Sequence, residues 1–578
     1  MSAHKSYGQT WWGAQWLNSL SQIDYDNRLP RGRSYANKGS VTKIEIQQGN
    51  IHAKVKGSRP QPYTVKIEVP AMPPQQAKVL LDALARDPVV ISKMLNRELD
   101  PAILERARVL KIDIFPARWS DLSMHCSCPD WAVPCKHLAA VIYLISREID
   151  GNPFMVFSLK GVDLIQELKA RHISIESEAK AALPIASDLL NQSQQDAVMV
   201  QDATDAVNYS VLDYSTLPDL AVSLVSVLPA NPAFYQQGDF RVIYEKVMKR
   251  VIKQARLALN SVVETDQAKS AITAADKPHI ALNTSYQPTL AGLTVSLRWS
   301  DWVSDLQQIA EADLPDLQPE VAAMLHARMT SLHLLAKGAV LPQVFNADKL
   351  GVGLRWLPAM LDETVSVLIG QLAARLPSGL LAFHGDKQVI NLSGEVQAVS
   401  LCSLFLSEFI RRWSDAGAEK PYGNKLIDLF FGHGHARFDG PGEGEVGSGM
   451  QLWLARFHIG HQAHVPVLRL EEENIGFGLS MGVATRNDLL QEPASFASLL
   501  TDPAWQENRY SVLKTVALLA EFFPDFNGYI NSGAITPIAL SSEALPAFLF
   551  DVLPVIRLMG IRALLPKTLD RVLRPRLS

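Results

Sequence analysis

A cluster of three cysteines and one histidine constrains the fold of this chain more than any other feature of its sequence. The cluster reads Cys126-Ser-Cys128, six further residues, and then Cys135-Lys-His137. In an extended segment, residues i and i+2 point to the same side, so Cys126 and Cys128 can face one ion while Cys135 and His137 close a tetrahedron. Three thiolates and one imidazole are the donor set of a structural zinc site. The sequence therefore predicts one Zn²⁺ ion held by Cys126, Cys128, Cys135 and His137.

The alternative for these thiols is burial as reduced core cysteines, because free cysteine is often buried. Three of the chain's four cysteines lie in the cluster, which argues against coincidence, and the fourth, Cys402, lies in an apolar helical stretch and is expected in the core. His125 points away from Cys126 and is a poor ligand. Because protein atoms would fill all four positions, the zinc is expected to hold structure and not to catalyse a reaction.

Length and composition indicate a folded protein with several domains. The chain has 578 residues, of which 47% are hydrophobic and 20% are charged, as in ordinary globular proteins. Four cysteines are too few for a disulfide framework. The N-terminus lacks the apolar core of a signal peptide, and no apolar run is long enough to span a bilayer. We therefore expect a cytoplasmic protein without a membrane partner.

The pattern of apolar residues predicts an α+β, multidomain fold. Alternation over 41–70 indicates a small antiparallel sheet, Val109–Phe115 is predicted as a further strand, and Leu138–Ile149 is predicted as an apolar helix. We expect four regions, which are an N-terminal β-rich and helical segment (1–108), a small zinc-stapled ββα module (109–155), a mainly helical connecting region (156–275) and a mixed α+β C-terminal domain (276–578).

Within the C-terminal domain, two helices are predicted at 397–413 and 511–523. The Gly-rich stretch 430–450 is predicted to be a flexible loop. Strands are predicted at 293–299, 352–356, 450–457 and 465–470.

The charge is distributed unevenly along the chain. Residues 1–137 hold 19 Lys/Arg against 12 Asp/Glu, a net of +7, whereas the whole chain carries −4. A polyanion is therefore expected to bind near the front. Arginine forks pair with phosphates, so an arginine loop, the predicted sheet and the residue between two zinc ligands supply the candidate nucleic-acid contacts, namely Arg28, Arg31, Arg33, Lys54, Lys56, Arg59 and Lys136.

Several of these features have a structural alternative. Large aromatic side chains usually bury their area, so Trp11, Trp12 and Trp16 are expected in the core and not in a base-stacking role. The arginines could equally form a solvated edge, and Lys136 could offset the negative charge of a three-thiolate zinc site. A second basic stripe at 245–259 is expected to be the wet face of an amphipathic helix.

Two groups of histidines invite a second metal assignment, and we expect neither to bind one. His458, His461 and His464 are spaced for a helix, but their flanks are predicted to be strands. His433 and His435 lie in the Gly-rich loop, where nothing is expected to fix them.

Common catalytic signatures are missing from the sequence. The dipeptide Gly-Lys of the phosphate loop does not occur, and no GxSxG, HExxH or CxxC motif is present. An enzyme with an unrecognised site is therefore the least favoured class of function for this chain.

The pattern C-x-C-x(n)-C-x-H followed by an apolar helix resembles the SWIM zinc finger. The flanks FPARWSDL (115–122), CSCPDWAVPCKHLAAVIYLI (126–145), RGRSYANKGSV (31–41) and KGSRPQPYTV (56–65) are similar to the bacterial members associated with a Swi/Snf-type helicase. LPANPAFYQQGDF (228–240) and LLPKTLDRVL (564–573) resemble the helicase-associated region. In many relatives an ATPase follows in the same polypeptide, so this resemblance implies a subunit whose motor is a separate chain.

Two functions are consistent with these features. The first is a zinc-binding, non-catalytic accessory subunit that binds DNA, or docks and regulates a separately encoded Swi/Snf-type helicase, or does both. The second is a protein-interaction scaffold whose SWIM module binds no nucleic acid. Salt-dependent DNA binding distinguishes the two.

Overall fold

Four small sheets and the helices packed around them build the described part of this protein. The computed structural model describes residues 7–18, 28–47, 49–130, 133–171, 173, 183–194, 208–230, 232, 234–235, 238–260, 278–291, 298–309, 317–385, 389–414, 424–439, 443, 446–473, 476–485, 492–506 and 508–569. The fold is mixed α+β and multidomain with several small sheets, which confirms the predicted class. The four region boundaries stay a prediction. Among the described helices, none combines the length and apolarity needed to cross a bilayer.

The N-terminal part combines one sheet with a helical layer. Its sheet has the order β1-β2-β3-β4, and all neighbours are antiparallel. Ile51, Ala53 and Val55 are buried while the residues between them are exposed, as the alternating sequence predicts. The elements in chain order are α1 (Trp11–Asn18), α2 (Arg28–Asn37), β1 (Val41–Gln47), β2 (Asn50–Val55), β3 (Tyr63–Glu68), α3 (Pro74–Leu84), α4 (Pro88–Leu95), α5 (Ala102–Val109), β4 (Ser123–Cys126) and α6 (Lys136–Gly151).

The predicted ββα module needs a correction. Val109 is the last residue of helix α5, and the chain then turns at Lys111, whose φ is 56°, so the strand predicted at Val109–Phe115 does not form. A positive φ at a non-glycine residue interrupts extended backbone. Within 109–155, the metal-site strand is β4, which pairs with β3 from the preceding segment. The ββα arrangement therefore uses a strand from outside the predicted module.

The segment that carries Arg28, Arg31 and Arg33 is a helix, α2, so the prediction of a loop at this position was wrong. α2 packs along α6, and Gly32 lies so close to it that an added Cβ would come within 2.5 Å of the Ala139 Cβ. Pro30 falls in the first turn, where its missing N–H costs no helical hydrogen bond. The sequence of α2 is polar on average, with Leu29, Gly32 and Ala36 on its buried face. Packing of this face on α6 stabilises the helix.

The tryptophans at the start of the chain are structural, as predicted. Trp12 and Trp16 are buried, and their indole N–H groups donate to the carbonyls of Ile149 and Ile142 on α6. Trp11 is partly buried and donates to the Leu99 carbonyl. α1 is therefore fixed against α6, the helix that carries His137.

A single carboxylate ties the chain start to the end of α6. The backbone N–H groups of Gly8, Gln9 and Thr10 and the Thr10 hydroxyl all donate to Asp150, at 2.6 to 3.1 Å. Substituting Asp150→Ala leaves these donors unpaired, so we expect the free energy of unfolding to fall by about 1–3 kcal/mol in denaturant titration. Asp113→Ala, which removes an exposed carboxylate, is the control. Equal stability of the two variants would contradict this role for Asp150.

The remaining elements form the connecting region and the C-terminal domain. Three further sheets have the orders β10-β9-β5-β6, β11-β8-β7 and β14-β13-β12-β16, with β15 paired to β13. The helices are α7 (Met155–Leu159), α8 (Leu164–Lys169), α9 (Ala186–Gln194), α10 (Ser223–Val227), α11 (Phe240–Asn260), α12 (Trp299–Asp305), α13 (Pro319–Ala336), α14 (Glu363–Ala373), α15 (Gly394–Ser414), α16 (Lys425–Phe431), α17 (Val446–Leu454), α18 (Phe496–Thr501), α19 (Arg509–Ala520), α20 (Asp525–Asn531), α21 (Ala544–Ala547) and α22 (Leu553–Leu558). The strands are β5 (His279–Leu282), β6 (Pro288–Ala291), β7 (Val340–Asn346), β8 (Val352–Pro358), β9 (Leu381–His384), β10 (Val389–Asn391), β11 (His435–Ala436), β12 (His464–Glu472), β13 (Phe477–Thr485), β14 (Ala494–Ser495), β15 (Ile538–Leu540) and β16 (Arg562–Leu564).

The structure confirms some C-terminal predictions and corrects others. The strands at 352–356 and 465–470 and the helices at 397–413 and 511–523 are present as β8, β12, α15 and α19. The strand predicted at 450–457 was wrong, because its apolar residues are buried at helical spacing in α17 and the turn that follows, namely Met450, Trp453, Leu454 and Phe457. Most of 293–299 lies outside the described residues, and its last residue begins α12.

The N-terminal and C-terminal parts meet where α4 packs on α19. The Asn96 side chain donates to the Lys514 carbonyl at 2.7 Å across this contact. In the turn after α4, burial raises the pKa of Glu98 to about 7, the Glu521 carboxylate adds to the rise, and Arg456 and Lys93 oppose it. The contact therefore contains a carboxyl group that titrates near neutral pH.

The raised pKa of Glu98 makes stability depend on pH. Because its folded pKa lies above the ordinary 4.5, the native state binds the proton more tightly than the unfolded state. The contribution is fully present below about pH 4.5 and is lost as the pH rises through about 7. In denaturation experiments between about pH 4.5 and about pH 8, we expect the free energy of unfolding to fall less with rising pH in Glu98→Gln than in the wild type. Glu105→Gln, at an exposed position, should keep the wild-type pH dependence. An unchanged pH profile in Glu98→Gln would contradict the assignment.

Candidate metal centre and basic surface

Two short segments bring the four predicted metal ligands together. Cys126 is the last residue of β4, and Cys128 lies two residues later in the bend that follows the strand. Cys135 is the N-cap of α6, with extended backbone (φ −77°, ψ 171°), and His137 lies in the first turn of that helix. Hydrogen bonds in both directions between Thr64 of β3 and Ser127 hold the first segment against the sheet.

The side-chain geometry of the cluster fits one metal ion. The three sulfurs and a ring nitrogen of His137 all lie within 4.8 Å of one another. The His137 Nδ1 atom is 3.9 Å from the Cys126 Sγ and 3.8 Å from the Cys135 Sγ. A tetrahedron with metal–sulfur bonds of about 2.3 Å has sulfur–sulfur edges of about 3.8 Å. Cys126, Cys128, Cys135 and His137 could therefore bind one metal.

The thiols hold their protons unequally. A hydrogen bond from the Cys126 thiol lowers the pKa of Cys135 to about 4, and His137 acts in the same direction. This hydrogen bond also raises the pKa of Cys126, and burial adds to the rise. Burial raises the pKa of Cys128. Burial and the mutual hydrogen bonds therefore oppose ionisation of all three thiols together, and a divalent cation would supply the charge that lets all three sulfurs ionise.

Ring packing orients the imidazole of His137. The Tyr63 ring centroid lies 4.6 Å from that of His137, and the Tyr35 ring meets it edge-on at 5.3 Å. The Nε2 atom is buried and has no hydrogen-bond partner within the part of the chain that the structure describes. Metal-bound histidines are commonly oriented by a hydrogen bond from the second nitrogen. Here two tyrosines from α2 and β3 hold the ring instead.

Gly57 makes room for this packing. A Cβ added at Gly57 would lie 2.3 Å from the Tyr63 ring and 3.2 Å from the His137 Nε2 atom. Gly57→Ala must therefore displace Tyr63, and we expect metal affinity to fall about 10-fold or more, in the range seen when groups outside the ligand shell are disturbed. Competition with a chromogenic chelator measures this affinity. Gly370→Ala on α14, where an added Cβ meets nothing within 4 Å and the backbone is helical, is the control for general chain effects, and equal affinities would contradict the packing role of Gly57.

The predicted nucleic-acid contacts lie on the elements around the metal cluster. Arg31 and Arg33 are exposed on α2, and the side chain of Arg28 lies outside the described residues. Lys54 and Lys56 are exposed at the end of β2, and Arg59 is exposed in the β2–β3 turn, where its guanidinium lies 6.0 Å from the Tyr63 ring centroid. Lys136 is half-buried, with its ammonium 5.2 Å from the Tyr35 ring centroid.

The outward face of the sheet adds two lysines that sequence reasoning missed. In the strand register Lys43 lies beside Lys54, and Lys66 lies beside the exposed His125 next to Cys126. Lys54 donates to the Thr64 hydroxyl at 2.7 Å, and the Thr64 N–H donates to the hydroxyl of Ser127, the residue between Cys126 and Cys128. Strict alternation along β1 and β3 could have identified both residues, since exposed positions share one face.

Other motifs fall into structural roles. The stripe at 245–259 is the exposed face of α11, as predicted, where Arg250 and Arg256 donate to the carbonyls of Ser414 and Ala336. Cys402 is fully buried in α15, as predicted. Among the described side chains, a group able to hold a metal occurs at the Cys126–His137 cluster and at no other place. The side chain of His461 lies outside that set, so the role of the His458–His464 group stays a prediction.

Sequence comparison with known proteins relates this chain to a family. The chain is 36% identical over 241 residues to the uncharacterized protein Rv2102 of Mycobacterium tuberculosis, an alignment covering 41% of this chain and 81% of that protein. The chain belongs to the Rv2102 family. Residues 269–440 match a family model described as a domain of unknown function, DUF8276, which spans β5 to β11 and lies outside the metal cluster. No solved structure matches the chain. Membership of the Rv2102 family is therefore a sequence relationship that does not by itself indicate a function.

Proposed function

We propose that this protein is a zinc-binding, non-catalytic accessory subunit that binds DNA and docks or regulates a separately encoded Swi/Snf-type helicase. The observation that carries the DNA-binding part is the set of exposed cations on α2, β2 and the β2–β3 turn. α2 packs on α6 and β2 pairs with β3, and these two partners adjoin the Cys126–His137 cluster. The resemblance of 115–145 to the SWIM finger supports the helicase part.

Zinc is the metal that the donor set favours. Three cysteine sulfurs and one imidazole are soft or borderline ligands, which suit Zn²⁺ and not Mg²⁺ or Ca²⁺. Four protein donors complete a tetrahedron, as in structural sites, whereas catalytic zinc sites keep a position for water. In the proposal, the ion joins the β4 end to the α6 start and so fixes the position of the helix against which α2 packs.

The charge distribution supports DNA as the ligand of this surface. Residues 28–68 contain nine Lys/Arg and two Asp/Glu, so this segment supplies the whole +7 of the first 137 residues. Phosphate contacts supply most of the non-specific affinity of DNA-binding proteins, and they need no sequence readout. A surface of exposed arginines and lysines without a matching set of carboxylates suits the DNA backbone.

Titration of a labelled duplex at two salt concentrations tests the DNA-binding part. Binding should weaken by orders of magnitude between about 50 mM and about 200 mM salt, because each phosphate contact releases counterions. The overall charge of −4 keeps a second function open, a protein scaffold without nucleic-acid contact. No duplex binding at the lower salt concentration would overturn the DNA proposal and leave the scaffold.

A further inference from the structure

A cleft in the region that matches DUF8276 is separate from the metal cluster and has its own chemistry. It lies between β8, α15 and the segment 432–435, and its volume is about 160 Å³. The Gly-rich stretch 430–450, predicted to be a flexible loop, supplies one wall. This stretch contains the end of α16, the short strand β11 and the start of α17, so the loop prediction was wrong at these elements. Residues 440–442 and 444–445 lie outside the described residues.

Aromatic rings form much of the cleft wall. Trp299, Trp356, Phe345 and Phe431 line it, together with Tyr286. An apolar cavity of about 150 Å³ is large enough to hold benzene. The cleft therefore has room for one ring or a body of that size.

Arg355 is the polar centre of the cleft. Arg355 is 6% exposed. Its Nε atom donates to the Gln343 side chain at 2.7 Å, and its guanidinium carbon lies 4.7 Å from the Tyr286 ring centroid. Within the described chain, no carboxylate lies within ion-pair distance of this guanidinium. A buried cation without a counterion is costly, and an anion delivered by a ligand removes that cost.

A second arginine increases the positive charge. Arg411 lines the cleft and donates to Glu408, but that carboxylate also accepts from Arg412, at 2.6 Å. One carboxylate is therefore shared by two guanidinium groups. Arg411 therefore places a second guanidinium beside Arg355 in the lining of the cleft.

His433 and His435 also line the cleft, and the Asp428 carboxylate holds His433 in place. The two Asp428 carboxylate oxygens lie 3.0 and 3.1 Å from the His433 Nδ1 atom and accept a hydrogen bond from it, which leaves Nε2 as the other polar atom of the ring. Gly432 permits this contact, since an added Cβ would lie 2.1 Å from an Asp428 oxygen. The structure thus holds His433 by a hydrogen bond and, as expected, does not group it with metal ligands among the described side chains.

We propose that this cleft binds a small organic anion. Its apolar body, about the size of one ring, lies between the aromatic walls, and its oxyanion pairs with Arg355, with His433 at the entrance. A guanidinium donates a bidentate pair of hydrogen bonds to either a carboxylate or a phosphate, so the chemistry common to the two ligands is an oxyanion. This inference is independent of the zinc and DNA proposals.

Calorimetric titration of the full chain with benzoate and, separately, with inorganic phosphate tests the proposal. We expect saturable binding at millimolar concentration or below by at least one probe, and the stronger probe identifies the oxyanion. Arg355→Gln should weaken binding by about tenfold or more, the range for loss of a charge-assisted hydrogen bond. Arg108→Gln, an exposed arginine on α5, should bind like the wild type.

A second variant keeps the test decisive if Arg355→Gln does not fold. His433 is 68% exposed, so His433→Gln leaves the core intact, and we expect it to weaken the binding of the same probe several-fold. Failure of both probes to bind the wild-type chain would overturn the proposal. Binding that neither variant weakens would also overturn it, since the anion would then lie elsewhere.

Discussion

Substituting Cys135→Ser is expected to abolish zinc binding and to unfold the region around β4 and α6. Cys135 contributes one of the four ligand atoms and is the N-cap of α6, so its loss opens the tetrahedron at the start of the helix. Binding of structural zinc contributes about 10–16 kcal/mol in small zinc-finger peptides. Packing of α6 in the core also stabilises this region and does not depend on the metal. We therefore expect the free energy of unfolding to fall by several kcal/mol in denaturant titration, with a zinc content near zero.

The control for this variant is Cys402→Ala. Cys402 is fully buried in α15, away from the cluster, and its removal should cost about 1 kcal/mol as a small cavity without changing the zinc content. A Cys135→Ser protein that keeps its metal, or that unfolds no more easily than Cys402→Ala, would contradict the assignment of Cys135 as a ligand.

The second large effect is expected for duplex affinity. Substituting Arg31, Arg33 and Lys54 together by glutamine removes three exposed cations from α2 and β2. Each lost phosphate contact should reduce the slope of log affinity against log salt by about 0.9. The triple variant should therefore lose most of the affinity measured at low salt, for all sequences alike, as expected for contacts to the backbone.

A matched control is available on α11. Lys246, Lys249 and Lys253 form a basic stripe on this helix, far along the chain from α2 and β2. Their combined substitution by glutamine removes the same charge and should leave duplex affinity nearly unchanged. An equal loss in both triple variants would show that net charge, and not the surface around the metal cluster, determines binding.

The metal cluster could be predicted from the sequence because its geometry is local. Cys126 ends β4 and Cys128 lies two residues later, and Cys135 and His137 share a helix start, so residue spacing determines most of the site. Cys402 and the tryptophans were also predictable, because burial follows from apolar surroundings. The packing of Tyr63 and Gly57 on His137 was not, since it depends on a part of the sheet that lies far earlier in the sequence.

Tertiary packing explains the predictions that were wrong. α2 has a polar sequence and is stabilised by α6, and the strand expected at Val109–Phe115 is replaced by a helix end and a turn at Lys111. The cleft around Arg355 unites β8, α15 and the Gly-rich stretch 430–450, which are far apart in sequence. The apolar pattern within one segment does not predict contacts between segments that are distant in sequence, so this cleft could be identified only in the folded chain.

The central claim is that a zinc ion and a DNA-binding surface depend on each other in this protein. The most direct measurement determines zinc by elemental analysis and duplex affinity on one purified sample, before and after removal of metal with a chelator. We predict one zinc per chain, salt-sensitive duplex binding, and loss of that binding with the metal. A sample without zinc, or duplex affinity that survives complete removal of the metal, would contradict the account.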